Sequence, residues 1–313
     1  MYRIGIDLGG TNIVAGVVDD NYNIIAKAKR KTRIPRPADE IIRDMAEAAL
    51  EAAEAAGISM DDISMVGVGS PGTCNPDTGV IEYANNLGFE NVPMREKLSA
   101  LLNKEVYIEN DANAAALGEA LAGAAKGAQS CVCITLGTGV GGGIIIDGKI
   151  YGGFNFAGAE LGHTVIVVGG HPCTCGRKGC WESYASATGL IWQTKEAMEK
   201  HPESAMWEIA GSLDNVDGRT AFDGMRRGDS AAKQVVDKYI EYVACGLTNV
   251  VNIFQPEILC IGGGICQEGD TLLKPLEEHI KRERYSKFSS HQTKLCVAKL
   301  GNNAGIIGAA FLK

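Results

Sequence analysis

Two stretches, one in each half of this 313-residue chain, carry the same pattern, and that repeat constrains the fold more than any other feature. IDLGGTNIVAGVVD, from Ile6 to Asp19, lies without gaps over ITLGTGVGGGIIID, from Ile134 to Asp147, with Ile, Leu, Gly and the closing Asp coinciding. In each copy an apolar strand runs into glycines and returns as a β-branched strand, which reads as a β-hairpin with a glycine tip. Two such hairpins predict an internal duplication with a cleft between the halves; chance agreement among Gly- and Ile-rich strands is the alternative. Gly137-x-Gly139-x-x-Gly142 satisfies the dinucleotide pattern formally, but that pattern needs a following helix, and Ile144 to Ile146 with Asp147-Gly148 reads as strand and turn. No Gly-Lys-Ser or Gly-Lys-Thr occurs, so a Walker loop is excluded. The tips instead offer backbone N–H groups with no side chain in the way, plus the hydroxyls of Thr11 and Thr138, and such nests bind phosphate oxygens.

The rest of the chain alternates strand and helix. Ala38 to Ala56 reads as a helix stopped by Gly57, Met65 to Val68 as a buried strand, and Gly69 to Asn75 as a polar turn. Val106 to Ile108 reads as a strand that delivers Glu109-Asn110-Asp111 to the start of an alanine-rich helix from about Ala112 to Ala125. Further helices are expected over Ser183 to Lys200, Pro202 to Ala210, Ser230 to Phe254 and Gly269 to Arg284. Strands are expected over Glu257 to Ile261 and Leu295 to Leu300, with a final small-residue helix from Asn303 to Phe311. The glycines Gly262, Gly263 and Gly264 follow a strand and precede a helix, the usual ligand position of an open α/β sheet; a plain turn is the alternative.

Between Gly158 and Glu182 an acid, a histidine and three cysteines fall in one short segment. His163, Cys173, Cys175 and Cys180 form the ligand set of a tetrahedral structural zinc, and Gly169, Gly170, Gly176 and Gly179 let the chain fold back. A redox pair or a surface disulfide is the alternative; a Cys-x-Cys with a Gly-rich reach to a third Cys suits metal better. If zinc fixes one ring nitrogen of His163, the other nitrogen and the Glu160 carboxylate can face one small volume as preset polar groups.

A net charge of -8 and scattered basic residues argue against a nucleic-acid footprint; the densest basic run, Lys27 to Arg33, reads as a solvated strand edge. Met1-Tyr2-Arg3 leads straight into a strand pattern without a signal peptide, so the ten cysteines are expected reduced, in a cytoplasmic protein. Cys131, Cys133, Cys245, Cys260, Cys266 and Cys296 lie in apolar runs as small core residues. No apolar run approaches the roughly 20 residues needed to span a bilayer, so no membrane partner is expected.

Phosphate-cradling hairpins, a glycine turn suited to a nucleotide and a carboxylate at a helix start are the parts of a phosphoryl transfer site. Asp111 is the candidate base for the acceptor hydroxyl; a simple N-cap is its other reading. Asp7, beside the first tip, is the natural carboxylate to hold a hydrated Mg²⁺ on the phosphates, or else a turn residue.

Taken together, Asp7-Leu-Gly-Gly-Thr-Asn12, Glu109-Asn-Asp-Ala112, Leu136-Gly-Thr-Gly139, Glu160-Leu-Gly-His163 and Cys173-Thr-Cys-Gly-Arg-Lys-Gly-Cys-Trp-Glu182 resemble the ROK family of repressors, open reading frames and sugar kinases. The resemblance spans essentially the whole chain. Asn12, where many members carry Lys, is a common variant. The resemblance implies an α/β, two-lobed actin-like (ribonuclease H-like, ASKHA) sugar kinase fold with the active site in the interdomain cleft. It implies a small N-terminal domain, 1–111, completed by 302–313, and a large domain, 112–301, carrying the zinc site. Asp111 would be the general base; Asn110, Glu160, His163 and Glu182 would hold the hexose hydroxyls, with Gly72 and Asn86 closing the other side. Gly9, Gly10, Thr11, Asn12, Gly137, Thr138, Gly139, Gly263 and Gly264 would contact ATP, and zinc would shape the pocket without entering the chemistry. A homodimer, or a dimer of dimers, is implied as well.

The stretch Asn85-Asn86-Leu-Gly-Phe-Glu-Asn-Val-Pro93 resembles the glucose-phosphorylating bacterial members, which implies ATP-dependent phosphorylation of glucose at the 6-hydroxyl. Kinases for N-acetylmannosamine, N-acetylglucosamine or fructose share every motif, and discrimination at the 2-position depends on pocket shape. A sugar-responsive repressor would carry a helix-turn-helix before the first hairpin. Here that hairpin begins at Ile4, and the acidic charge gives no help toward DNA.

Overall fold

The first hairpin forms where alternation predicts it. In the computed structural model, which describes residues 1–313, β1 (Tyr2–Leu8) pairs antiparallel with β2 (Asn12–Asp19), Ile6 opposite Ala15 and Leu8 opposite Ile13. The Asp19 carboxylate accepts the N–H groups of Asn21 and Asn23 and turns the chain into β3 (Ile24–Lys31). β3 is a sheet edge that exposes Lys27, Lys29 and Lys31, the solvated edge read from the sequence. Lysines in such a row discourage a further strand from adding.

Helix α1 (Ala38–Ala56) buries Ile41, Ile42, Met45, Ala49 and Ala52 along one face. Gly57 ends it at φ 66°, giving its N–H to Glu54 while Ile58 gives its own to Ala53. Strand β4 (Ile63–Ser70) follows, then β5 (Thr73–Asn75), β6 (Val80–Ala84) and β7 (Phe89–Val92), which pair as a small antiparallel sheet. Helix α2 (Met94–Leu102) leads to β8 (Val106–Asn110) and α3 (Asp111–Ala122). The second hairpin is β9 (Cys131–Leu136) and β10 (Val140–Ile146), extended by β11 (Lys149–Ile150). The helices α4 (Glu182–Ala185), α5 (Ala187–Lys200), α6 (Met206–Ala210), α7 (Thr220–Arg226) and α8 (Ser230–Phe254) come next. Strand β12 (Ile258–Gly262), helix α9 (Asp270–Glu283), strand β13 (Lys294–Val297) and helix α10 (Ala304–Ala309) close the chain.

The two five-stranded sheets have the orders β3-β2-β1-β4-β8 and β11-β10-β9-β12-β13. Counted within its own half, each sheet therefore reads 3-2-1-4-5, the connectivity a duplicated unit would leave. The chain divides into two compact units, residues 1–133, 142–159 and 298–313 in one, and residues 134–141 and 160–297 in the other. No helix is long and apolar enough to cross a membrane.

In the first unit, backbone contact seats α10. A Cβ on Gly5 would lie 1.8 Å from the Ile306 carbonyl oxygen, and one on Gly67 would lie 1.7 Å from that of Ala309. On its other side, a Cβ on Gly308 would lie 1.7 Å from the Ala114 oxygen. Small residues in α10 thus bring it onto β1, β4 and α3 at once. In the second unit α8 runs for 25 residues and buries Val236, Tyr239, Val243, Leu247 and Val251. Its N-cap, Asp229, accepts the N–H groups of Ala231 and Ala232 and also holds Ser204 and Ala205.

Several elements differ from expectation for local reasons. The helix expected over Ser183 to Lys200 breaks at Ser186, whose extended backbone caps α5 and whose hydroxyl accepts the Gly189 N–H. The next helix starts at Met206, not Pro202, because Asp229 binds the backbone of Ala205. The last strand stops at Val297, since the N–H groups of Lys299 and Leu300 go to the buried Glu119 carboxylate. Cys131 and Cys260 are buried as expected, whereas Cys133, Cys245, Cys266 and Cys296 are only half-buried.

Candidate active site and metal centre

The chain from Thr164 to Glu182 folds into a knuckle. Isolated bridges join Val165 to Cys180 and Pro172 to Lys178, with Cys173 donating its N–H to Arg177 and Gly179 donating to His171. One donor atom from each of His163, Cys173, Cys175 and Cys180 lies within 4.8 Å of all the others. His163 Nδ1 is 3.6 Å from Cys173 Sγ, and Cys175 Sγ is 3.6 Å from Cys180 Sγ. A tetrahedral zinc with bonds near 2.3 Å requires S···S edges of about 3.8 Å, so the set fits the ion. Cys175 and Cys180 are not joined in a disulfide, since 3.6 Å between their sulfurs is far longer than the roughly 2 Å of an S–S bond. Burial, followed by the neighbouring thiols, pushes Cys180 up to about 12, while the Arg177 backbone N–H holds Cys175 below the usual thiol range. A cation here would have to displace the proton of Cys180. The other ring nitrogen of His163, Nε2, faces the Glu160 carboxylate at 3.9 Å, outside hydrogen-bonding distance.

Glu182 connects this knuckle to the second hairpin. Its Oε2 accepts the Val140 N–H at 3.0 Å, and its Oε1 is 3.8 Å from Cys173 Sγ. A Cβ on Gly139 would sit 2.4 Å from Glu182 Oε2, so only glycine admits this carboxylate so close to the tip. The tip closes on itself through Gly137 N–H to Gly139 O at 3.0 Å. Gly263, at φ 106°, places its α-carbon where a Cβ would lie 2.0 Å from the Leu136 oxygen, and a Cβ on Gly264 would meet open space. Within the second unit, then, Gly137, Thr138, Gly139, Gly263 and Glu182 converge with the cysteine knuckle.

The neighbouring residue anchors the knuckle. Trp181 is fully buried, donates Nε1–H to the Tyr242 carbonyl at 2.9 Å, and fills a space that α8 leaves at Gly246. No signal in the motif spacing marks Gly246; the fit requires knowing which helix lies beneath.

The first unit collects the remaining residues. The cap of α3 is Asn110, whose Oδ1 accepts the N–H groups of Ala112 and Asn113, which leaves Asp111 as the first helical residue and not the cap. Asn110 Nδ2 donates to the Gly72 carbonyl at 3.1 Å, joining two of the expected sugar-binding positions. Gly72 packs on the backbone of Tyr83 and Ala84, two residues before the exposed Asn86. Glu109, buried and given no role in the sequence reading, accepts the N–H of Asn110 and the side-chain amide of Asn113. At the first tip Gly9 donates its N–H to Asn12 at 2.9 Å, and Gly10, Thr11 and Asn12 complete the turn.

Burial raises Asp111 above the ordinary carboxylate range, against a smaller lowering by the Ala112 N–H. Burial, then the Asp111 carboxylate, raises Asp7 from 3.8 to about 6. Ionising Asp7 therefore costs stability. Its favourable neutral form is present below about pH 4 and lost as pH rises through about 6. For the metal- and nucleotide-free protein we expect Asp7→Asn to be more stable than wild type by on the order of 2 kcal/mol at pH 8. The difference should vanish at pH 4; urea unfolding at the two pH values measures it, and a loss of stability at pH 8 would contradict the assignment.

Paired sheets of one connectivity, each opened by a glycine-tipped hairpin, are those of an actin-like fold, here with a His-Cys₃ set that could hold a metal ion tied to the second tip. Residues 3–313 match the ROK family, and the chain belongs to it. It is 36% identical over 308 residues to the glucokinase of Thermotoga maritima, covering 98% of this chain and 95% of that protein. It is 37% identical over 313 residues to the glucokinase of Streptomyces coelicolor, covering 99% and 96%. Its structure superposes on a ROK glucokinase from Streptomyces griseus in complex with glucose and AMPPNP, with a TM-score of 0.81, 35% identity, and coverage of 99% and 98%. The fold is the actin-like ASKHA fold expected from the motifs.

Proposed function

We propose that this chain is an ATP-dependent glucokinase, transferring the γ-phosphoryl group to the 6-hydroxyl of glucose. The observation that carries the reading is the near full-length likeness to a glucokinase that holds glucose and an ATP analogue. Asp111 accepts the proton of the 6-hydroxyl as the O6–P bond forms and the bridging P–O bond to ADP breaks. The products are glucose 6-phosphate and ADP, with the proton left on the carboxylate. A base must be ionised to act, so activity is present above its raised pKa and falls as pH drops through it.

Asn110, Glu160, His163 and Glu182, with Gly72 and Asn86, bind and orient the hexose. Gly9, Gly10, Thr11 and Asn12 and, in the second unit, Gly137, Thr138 and Gly139 receive the phosphates, while Gly263 and Gly264 lie along the nucleotide. Asp7 would hold magnesium through water; the ion, when bound, neutralises phosphate charge. His163, Cys173, Cys175 and Cys180 would hold zinc, whose part is to fix the imidazole that meets the sugar. The enzyme works in the cytoplasm as a homodimer or dimer of dimers. ADP release from Mg-ATP on addition of glucose, with glucose 6-phosphate identified as product, tests the proposal.

A further inference from the structure

The second hairpin tip has both of its central carbonyls tied down from outside. Ala187 donates its N–H to the Gly137 carbonyl at 2.8 Å, and the Thr188 hydroxyl donates to the Thr138 carbonyl at 2.8 Å. In a trans peptide the C=O of one residue and the N–H of the next point to opposite sides. Holding these two carbonyls against the start of α5 therefore turns the N–H groups of Thr138 and Gly139 to the opposite side of the tip. Two successive N–H groups presented on one side make an anion nest.

Thr188 is not needed for its own helix. Ser186 already caps α5 by accepting the Gly189 N–H, and the Thr188 hydroxyl crosses 50 positions to reach its partner. The first tip repeats the device independently. Thr32, fully buried just past β3, donates its hydroxyl to the Gly9 carbonyl at 2.6 Å and its N–H to the Thr11 carbonyl at 3.0 Å. The Gly10 N–H is thereby turned away from Thr32. Each tip has one carbonyl gripped by a threonine hydroxyl from outside the hairpin's own loop.

We infer that Thr188 and Thr32 are positioning residues for nucleotide phosphates: each fixes the peptide orientation of a glycine tip so that its N–H groups meet the β,γ-diphosphate portion of the nucleotide. The inference rests on the kinase reading for the identity of the ligand and adds two residues to it. Neither side chain needs to touch the nucleotide.

The test is calorimetric binding of AMPPNP and of AMP to the full-length protein and its Thr188→Val and Thr188→Ser variants. Valine keeps the shape and removes the donor. Loss of one neutral hydrogen bond predicts AMPPNP binding weakened by about fivefold in Thr188→Val. AMP, which lacks the β- and γ-phosphates, should bind within twofold of wild type, as should glucose, and zinc content should be unchanged. Thr188→Ser should restore AMPPNP affinity, and Thr32→Val should repeat the selective loss at the other tip. Unchanged AMPPNP affinity in both valine variants, or equal losses for AMP and AMPPNP, would overturn the inference. A wild-type protein that binds AMPPNP but phosphorylates no glucose would sink the kinase reading alone, with the valine comparison still deciding this one. Failure of the wild type to bind AMPPNP would overturn both.

Discussion

Asp111→Asn protein is expected to bind glucose while turning over about a thousandfold more slowly, since a positioned general base contributes roughly 10²–10⁴ and asparagine accepts no proton. Asparagine is the informative replacement because it keeps the oxygen that receives the Ala112 N–H at 2.9 Å. Helix α3 should start as before, with Asn110 still its cap. The burial that raises Asp111 places its titration nearer the working pH than an exposed aspartate would manage, and the acid limb of the wild-type pH profile should lie above the ordinary carboxylate range. Asp7 and Asp111 interact, so the limb reports the pair. Turnover within tenfold of wild type, at unchanged glucose affinity, would remove Asp111 as the base.

Cys175→Ser is expected to abolish stoichiometric zinc and to raise the glucose KM at least tenfold, with a smaller fall in turnover. Cys175 is the exposed member of the cluster, so its replacement opens no cavity in the core. Any large effect must then pass through the metal, whose binding to such sets is worth on the order of 10 kcal/mol. Without it, the C-terminal side of the knuckle is still held by the bridge from Val165 to Cys180, by Trp181 seated on α8 and by Glu182 on Val140. These hold Glu182 better than they hold His163, whose ring would lose its fixed partner at Nδ1. Sugar affinity should therefore suffer more than nucleotide affinity. Metal analysis beside steady-state kinetics decides it; a zinc-free protein with normal kinetics would show that the cysteines do not organise the pocket.

What could be read from the sequence followed from local periodicity and spacing. The first hairpin announces itself by alternation, α1 by its composition and the Gly57 that stops it, and α8 falls on the expected Ser230 to Phe254. The metal set was legible because its four ligands lie within 18 residues, from His163 to Cys180. The strands β5 to β7 were not, being three to five residues long and flanked by turn residues that look the same in a loop. The groups that aim the site came from long range: Thr188 on Thr138, Glu119 on Lys299 and Leu300, Gly246 under Trp181. No motif spacing encodes such pairs, since each depends on which elements the finished fold makes neighbours. The raised Asp7 is of the same kind, a product of burial and of a carboxylate 104 positions away.

The most direct measurement is ADP release by the purified protein from Mg-ATP with glucose, mannose, fructose, N-acetylglucosamine and N-acetylmannosamine in turn, beside a sugar-free control. The account predicts a clear preference for glucose, with glucose 6-phosphate as the product. Preference for an N-acetylated sugar or fructose would leave the phosphoryl transfer standing and overturn the assignment of the pocket. A folded, zinc-bound protein that releases ADP with none of these sugars would contradict the kinase itself.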